Sequence, residues 1–153
     1  MKKVFGFIVI TLVLMSCSSN SSNGNVDVRD SYVGTYSVKR TGAINMMYGT
    51  DVAQSLTVAL DTTYAVTKVG TNQLNIGGQT ATVDGTKLTF QSKSSTDMYS
   101  GYVMKQTITQ TGTLSTNSIT IKDVYSGTWS ISILGFSMDG SVSGTVNETC
   151  TKK

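Results

Sequence analysis

Two residues in this chain of 153 carry thiols, Cys17 and Cys150, and their neighbours assign them different chemistry. Cys17 closes the stretch Leu14-Met15-Ser16-Cys17, directly after the apolar run Val4 to Met15 (VFGFIVITLVLM) and behind a basic start at Lys2 and Lys3. Cys150 lies three residues from the end, with only Lys152 and Lys153 near it to depress its pKa, which makes a poor nucleophile. The chain has no histidine, so the usual general base and the usual zinc ligand are both missing. Its nine acidic residues are scattered singly apart from Asp27 and Asp30, and no carboxylate pair stands at a spacing that suggests glycoside hydrolysis. No Asp-x-Asp-x-Asp calcium loop is present, and no glycine-rich phosphate loop opens a helix. Serine and lysine are common, yet nothing selects one Ser–Lys pair. This inventory points away from catalysis, and no catalytic residue, metal or cofactor is expected.

The apolar run must then serve an address. About a dozen residues cannot span a hydrocarbon core of ~30 Å, which needs ~20; behind a basic start such a run is an export signal. A small residue before a cysteine is what lipoprotein signal peptidase requires once the thiol is acylated. The segment resembles the signals of bacterial lipoproteins, which implies a signal peptide over residues 1–16 and a mature chain that begins at a lipidated Cys17. The expected place is the bacterial cell envelope, lipid-anchored at the outer membrane, with periplasmic and surface faces both open. Acyl chains anchor at about 0.8 kcal/mol per buried CH₂. With Cys17 acylated, Cys150 is the only thiol left and no internal disulfide forms; it is buried, free or paired with another molecule.

Cleavage before Cys17 also removes Lys2 and Lys3, so ten basic groups face nine acidic ones in the remainder. Near-neutrality without basic clusters argues against a nucleic-acid partner. Residues 17–27 read as the lipidated cysteine and a tether: Ser18 to Asn25 (SSNSSNGN) has no apolar side chain with which to offset ordering.

From Val28 onward the pattern is β, and residues 28–153 read as one domain. Leu56, Val58 and Leu60 alternate with Ser55, Thr57 and Asp61; Tyr102, Met104 and Ile108 alternate with Lys105, Thr107 and Thr109; Trp129, Ile131 and Ile133 alternate with Thr128, Ser130 and Ser132. Period two marks strands with one buried face. Asp51 to Leu60 has some helical appearance, but its alternation favours a strand. Gly77-Gly78 and Asp84-Gly85 are turn pairs, and Gly70-Thr71-Asn72 and Ser115-Thr116-Asn117 are softer ones. Asp139-Gly140 either turns a hairpin, with Gly135 as a bulge, or sits inside one long strand; the hairpin is preferred. The count gives an all-β antiparallel meander of eight to ten strands, a barrel with a β-sandwich as the alternative. No proline is present to block an edge, and closure into a barrel would remove the edges outright.

Tyr32-Val33-Gly34-Thr35-Tyr36-Ser37-Val38 (YVGTYSV) is echoed by Tyr125-Ser126-Gly127-Thr128-Trp129-Ser130-Ile131 (YSGTWSI). Each glycine is expected where a strand begins, and each aromatic two residues later on the core-facing side. Gly34-Thr35-Tyr36 resembles the glycine-x-tryptophan opening of lipocalins and other calycins, with tyrosine in place of tryptophan. The layout of lipoprotein signal, tether and one β domain is similar to the small calycin-like lipoproteins of Gram-negative gut bacteria. That resemblance implies a calycin-like β-barrel. It departs in one respect: lipocalins commonly set an arginine from the last strand over the opening tryptophan, and the only arginines here are Arg29 and Arg40.

A barrel of this size is either filled by side chains or holds one small ligand. Candidate pocket or core residues are Tyr36, Val38, Met46, Met47, Leu56, Val58, Leu60, Phe90, Met104, Trp129, Ile131 and Phe136, with Leu88, Ile108, Ile119, Ile121 and Val142 completing the core. Ile44-Asn45-Met46-Met47-Tyr48-Gly49 reads as a strand, a core plug or a lid over the mouth. Tyr99 and Tyr102 are placed to stack on a sugar ring or to pack structurally. Two functions follow: a non-catalytic binding module for a small apolar or amphipathic ligand, or a structural or interaction protein of the envelope with a filled barrel. The first asks for an internal cavity of a few hundred Å³; the second asks for an exposed apolar patch or an unpaired edge strand.

Overall fold

Alternating apolar and threonine-rich positions, with no proline to interrupt a ladder, give nine antiparallel strands, five of them fourteen residues or longer. The computed structural model describes residues 27–153; the expected signal peptide, Cys17 and most of the expected tether lie outside the described residues. The strands are β1 (Gly34–Tyr48), β2 (Asp51–Val69), β3 (Gln73–Ile76), β4 (Gln79–Asp84), β5 (Lys87–Phe90), β6 (Lys93–Tyr99), β7 (Tyr102–Ser115), β8 (Ser118–Ile133) and β9 (Phe136–Lys152). Asp51 to Leu60 is indeed strand. The β pattern starts later than expected, because Val28–Tyr32 forms a short 3-10 helix whose N-cap Asp27 accepts from the Arg29 amide. The Arg29 guanidinium donates to the carbonyls of Gly70 and Gln73, both at 3.1 Å, which fixes the entering chain beside the β2–β3 turn.

Eight of the strands close a ring in the order β5-β4-β3-β2-β1-β9-β8-β7, and closure depends on one skip. β5 bypasses β6 and pairs Lys87–Thr89 with Thr113–Thr111 at the far end of β7. β6 pairs only with Tyr102–Ile108, the near end of β7. Because β3, β4 and β5 are only four to six residues long, the ring is short. Above it the long strands continue as an open six-stranded sheet, β2-β1-β9-β8-β7-β6. The molecule is thus a closed barrel at one end and a curled sheet at the other.

Each half has its own core. Tyr36, Val38, Val66, Leu74, Ile76, Leu88, Phe90, Leu114, Ile119, Ile121 and Cys150 fill the ring. Met46, Met104, Trp129 and Val142, flanked by Ile44, Leu56, Tyr102 and Ile131, fill the curl of the open sheet. Trp129 organises this second core. Its indole N–H donates to Met47 O at 2.9 Å, Tyr102 packs edge-on against it with ring centres 5.4 Å apart, and it lies opposite Gly140. A Cβ at Gly140 would stand 2.0 Å from Met47 O and 2.6 Å from the indole nitrogen. Glycine here is a requirement of the packing.

That packing corrects several sequence expectations. Asp139-Gly140 lies inside β9; the hairpin turns at Leu134-Gly135, both at positive φ (51° and 85°). The β4–β5 turn is Gly85-Thr86, one residue later than Asp84-Gly85. Gly34 does begin a strand, but Gly127 falls in the middle of β8, where a Cβ would lie 2.1 Å from Lys105 O. The stretch from Ile44 is the end of β1 and its hairpin, with Met46 fully buried, so it is no lid. Leu60 is 50% exposed because β3 stops short of it and no wall faces that part of β2; Phe136, 77% exposed, stands just past a hairpin tip.

Candidate functional site

The missing wall defines the site. Among the described residues, β2 has no outer neighbour from Asp51 to about Tyr64, since β3 pairs only with Val66–Val69. β6 is the opposite edge of the same sheet. A lateral slot therefore runs upward from the ring between these edges. In an antiparallel ladder, successive residues direct their backbone groups to alternate sides. Ala65 O accepts from Gly77 N on the outer side, and Thr35 O, opposite Ala65, accepts from Lys153 N on the far side of β1. The odd-numbered residues of β2, Ser55 to Thr63, accordingly aim their N–H and C=O groups into the slot. The even-numbered ones turn their side chains to the concave face. There Leu56 and Val58 are half-buried, and Leu60 is exposed.

A charged floor lies at the foot of the slot, at the level where the ring ends. Arg40, opposite Leu60 on β1, holds two carboxylates from other strands. Its Nη2 is 3.1 Å from Asp123 Oδ2 and its Nε 2.7 Å from Glu148 Oε1. The second contact is an ion pair without hydrogen-bond alignment. Gln110 Nε2 donates to Asp123 Oδ1 at 2.9 Å. The carboxylates are almost wholly buried, with side chains 1% and 3% exposed. Burial pushes the Glu148 carboxyl above its usual range; Arg40 opposes this, and neighbouring Asp123 adds to it. The phenols of Tyr64 and Tyr125 are likewise raised, chiefly by burial. A cavity of about 90 Å³ adjoins the group, lined by Arg40, Gln79, Lys93, Gln110, Asp123 and Tyr125 among others.

Most of the candidate residues read from the sequence are placed as core. Tyr36, Val38 and Phe90 lie in the ring; Met46, Met104 and Trp129 lie in the upper core with Leu56 and Ile131 at its margin. Met47 is half-buried and contributes its carbonyl to Trp129. Leu56, Val58 and Leu60 line the concave face beside the slot, and Phe136 stands at a hairpin tip. Two concavities of about 630 and 650 Å³ open on the outside of the barrel among residues such as Thr111, Thr113, Lys39 and Thr63. Tyr102 packs on Trp129, and Tyr99 is 40% exposed. Cys150 is a free thiol, buried in the ring core, and burial pushes its pKa up to about 12.

Arg40, Asp123, Gln110 and Glu148 were not among the candidates. A signal was available, since each occupies the core parity of its strand: Tyr36-x-Val38-x-Arg40, Ile108-x-Gln110, Ile121-x-Asp123-x-Tyr125, Val146-x-Glu148-x-Cys150. Among the described residues no group of three or more His, Cys, Asp or Glu comes together. Three hairpin tips at the open end also expose apolar side chains: Tyr48 and Val52, Met98, and Ile133, Leu134 and Phe136, with Leu134 at 95%. Comparison with protein-family models, with curated proteins and with solved structures found no match.

Proposed function

We propose that this chain is a lipid-anchored, non-catalytic module of the bacterial cell envelope that docks a partner protein by taking one of its extended segments onto the β2 edge. The observation that carries this reading is a combination found along one strand. Backbone donors and acceptors of Ser55 to Thr63 face the slot, and Leu56, Val58 and Leu60 present alternating apolar side chains beside them. Strand addition draws affinity from main-chain hydrogen bonds and specificity from alternate side-chain pockets. Edges that must stay single are blunted by lysine, proline or shortness. Val52 to Thr67 has no lysine, arginine or proline, and its only charge is Asp61.

The anchor fits this use. The described chain enters beside the β2–β3 turn, at the ring end. Lipid on Cys17 would hold that end toward the outer membrane, and the slot and hairpin tips would point away from it. β1 alone has fifteen residues, about 50 Å of strand at ~3.3 Å per residue. An apolar hairpin end set at that distance suits a protein partner. The filled ring core supports this interaction reading over a ligand carried in the lumen.

Photo-crosslinking in intact source cells tests the proposal. A photoreactive residue at Asp61, on the edge, is expected to give one discrete protein adduct, and one at Thr109, on the outer face of β7, none. The adduct should vanish with Ala59→Pro, which removes an outward N–H and sacrifices no bond to β1. Identical adducts from both positions, or an adduct indifferent to Ala59→Pro, would overturn the assignment.

A further inference from the structure

One pair of strands outruns its neighbours at the open end. Pairing of β8 with β7 stops at Ser130, and pairing of β9 with β1 starts at Ser141. Ile131 to Met138 therefore forms a two-stranded ribbon paired only within itself, through Ile131–Met138, Ser132–Ser137 and Ile133–Phe136. Its side chains are sorted by face. Ile131, Ile133, Phe136 and Met138 continue the parity of Trp129 and Val142, which are buried in the upper core. Ser132 and Ser137 take the outer face. Ile133 and Phe136 stand on the core side and are nevertheless more than half exposed, because no strand faces them.

The same molecule lacks two strands on the opposite wall. In the closed ring, β3 and β4 stand between β2 and β5. Higher up, β6 takes over from β5 along β7. There β2 and β6 are separated by the places of two missing strands, about 14 Å at ~4.8 Å per strand spacing. Direction narrows the choice of filler. β6 runs toward the open end and β2 away from it, so only an even number of strands fits with every pairing antiparallel. Counted round the eight-stranded ring, the two missing places lie diametrically opposite β8 and β9.

From this we infer that two copies of the chain associate head to head, each inserting its Ile131–Met138 ribbon into the upper part of the other's slot. Turned end over end on a common barrel axis, β8 of the second copy runs beside β6 and its β9 beside β2, both antiparallel. The turn keeps the apolar face of the ribbon on the concave side, toward Leu56. The assembly is closed and two-fold, because the half-turn that places one ribbon also places the other. It covers the other exposed apolar side chains of the tips as well: Tyr48, Val52, Met98, Tyr99 and Leu134. Together with Ile133, Phe136 and Met138 they approach the ~800 Å² per partner that a stable interface buries. Three residue pairs reach only about 10 Å into the slot. Thr57 to Thr63 stay open, so the inference stands apart from strand docking on that stretch. Asp51, Asp97 and Asp139 are the only charges on the three tips, and salt that screens their mutual repulsion should favour association.

Sedimentation velocity on the full mature chain carrying Cys17→Ser, which prevents acylation and avoids detergent, tests the inference. A monomer–dimer equilibrium without larger species is expected, and it should tighten as salt is raised. Phe136→Asp should weaken it about tenfold or more, as loss of a buried aromatic anchor does. Ser137→Asp sets the same charge on the outer face of the same ribbon and should leave the dimer largely intact. In isotope-mixed chains, a photoreactive residue at Phe136 should crosslink to β2 or β6 of the other copy. A monomer at every concentration, a ladder of larger oligomers, equal effects of the two substitutions, or crosslinks only from ribbon to ribbon would each overturn the inference. None of these results bears on the Asp61 adduct that tests strand docking.

Discussion

Trp129 and Gly140 form one unit, as do Arg40, Asp123 and Glu148, and at the scale of single residues these two units decide what the chain tolerates. The indole needs the space that Gly140 leaves and the carbonyl that Met47 offers. Gly140→Ala must move backbone, and overpacking of this kind costs about 3 kcal/mol; urea denaturation should show the loss without a change in m-value. The buried charges are read through pH. Because burial raises Glu148 above its ordinary 4.5, the stability linked to it is fully present below pH 4.5 and declines as pH climbs through the raised value. Glu148→Gln should abolish that decline in a Tm-against-pH series, and an unchanged slope would contradict the buried placement. Asp27 works in the opposite sense. Arg29 holds it well below its ordinary 3.8, so its contribution is present above pH 3.8 and lost on further acidification. Cys150, fully buried with its thiol raised to about 12, should resist Ellman's reagent in the folded protein and react at once in denaturant.

Period-two alternation was sufficient to find the strands, and the elements themselves were largely legible. The alternation of Leu56, Val58 and Leu60 identified β2 against a helical alternative, and Tyr36 and Trp129 were rightly placed inside. What alternation does not encode is partnership. Leu60 has core parity but no facing strand, because β3 is four residues long and stops near Val66. The Leu134-Gly135 turn was hidden because leucine at positive φ is unfavourable by about 1–2 kcal/mol, whereas Asp139-Gly140 carries the usual turn chemistry and lies in mid-strand. Leu134→Asn should therefore stabilise the fold by about 0.5–1 kcal/mol, since asparagine tolerates that conformation; chemical denaturation reads it directly. Ala59→Pro should leave stability within about 1 kcal/mol, as expected for proline on the open side of an edge strand.

For the whole molecule, the informative feature is that the barrel closes over only part of its height. No local pattern announces that β5 bypasses β6 to reach the far end of β7, because that choice is made by strand lengths and by the register of distant segments. The same is true of the charged floor. Arg40, Asp123 and Glu148 stood visibly at core parity, but only the β1–β9–β8 register, with Glu148 opposite both Arg40 and Ile121, brings them together. Partial closure leaves a long, unguarded edge above a polar pit, and the account of function depends on that edge being free. Residue-resolved amide hydrogen exchange on the dilute, unliganded domain measures this most directly. The odd-numbered amides from Ser55 to Thr63 should exchange quickly while their even-numbered neighbours, bonded to β1, stay protected. Uniform protection along this stretch would mean that the edge is already paired, and would contradict the account.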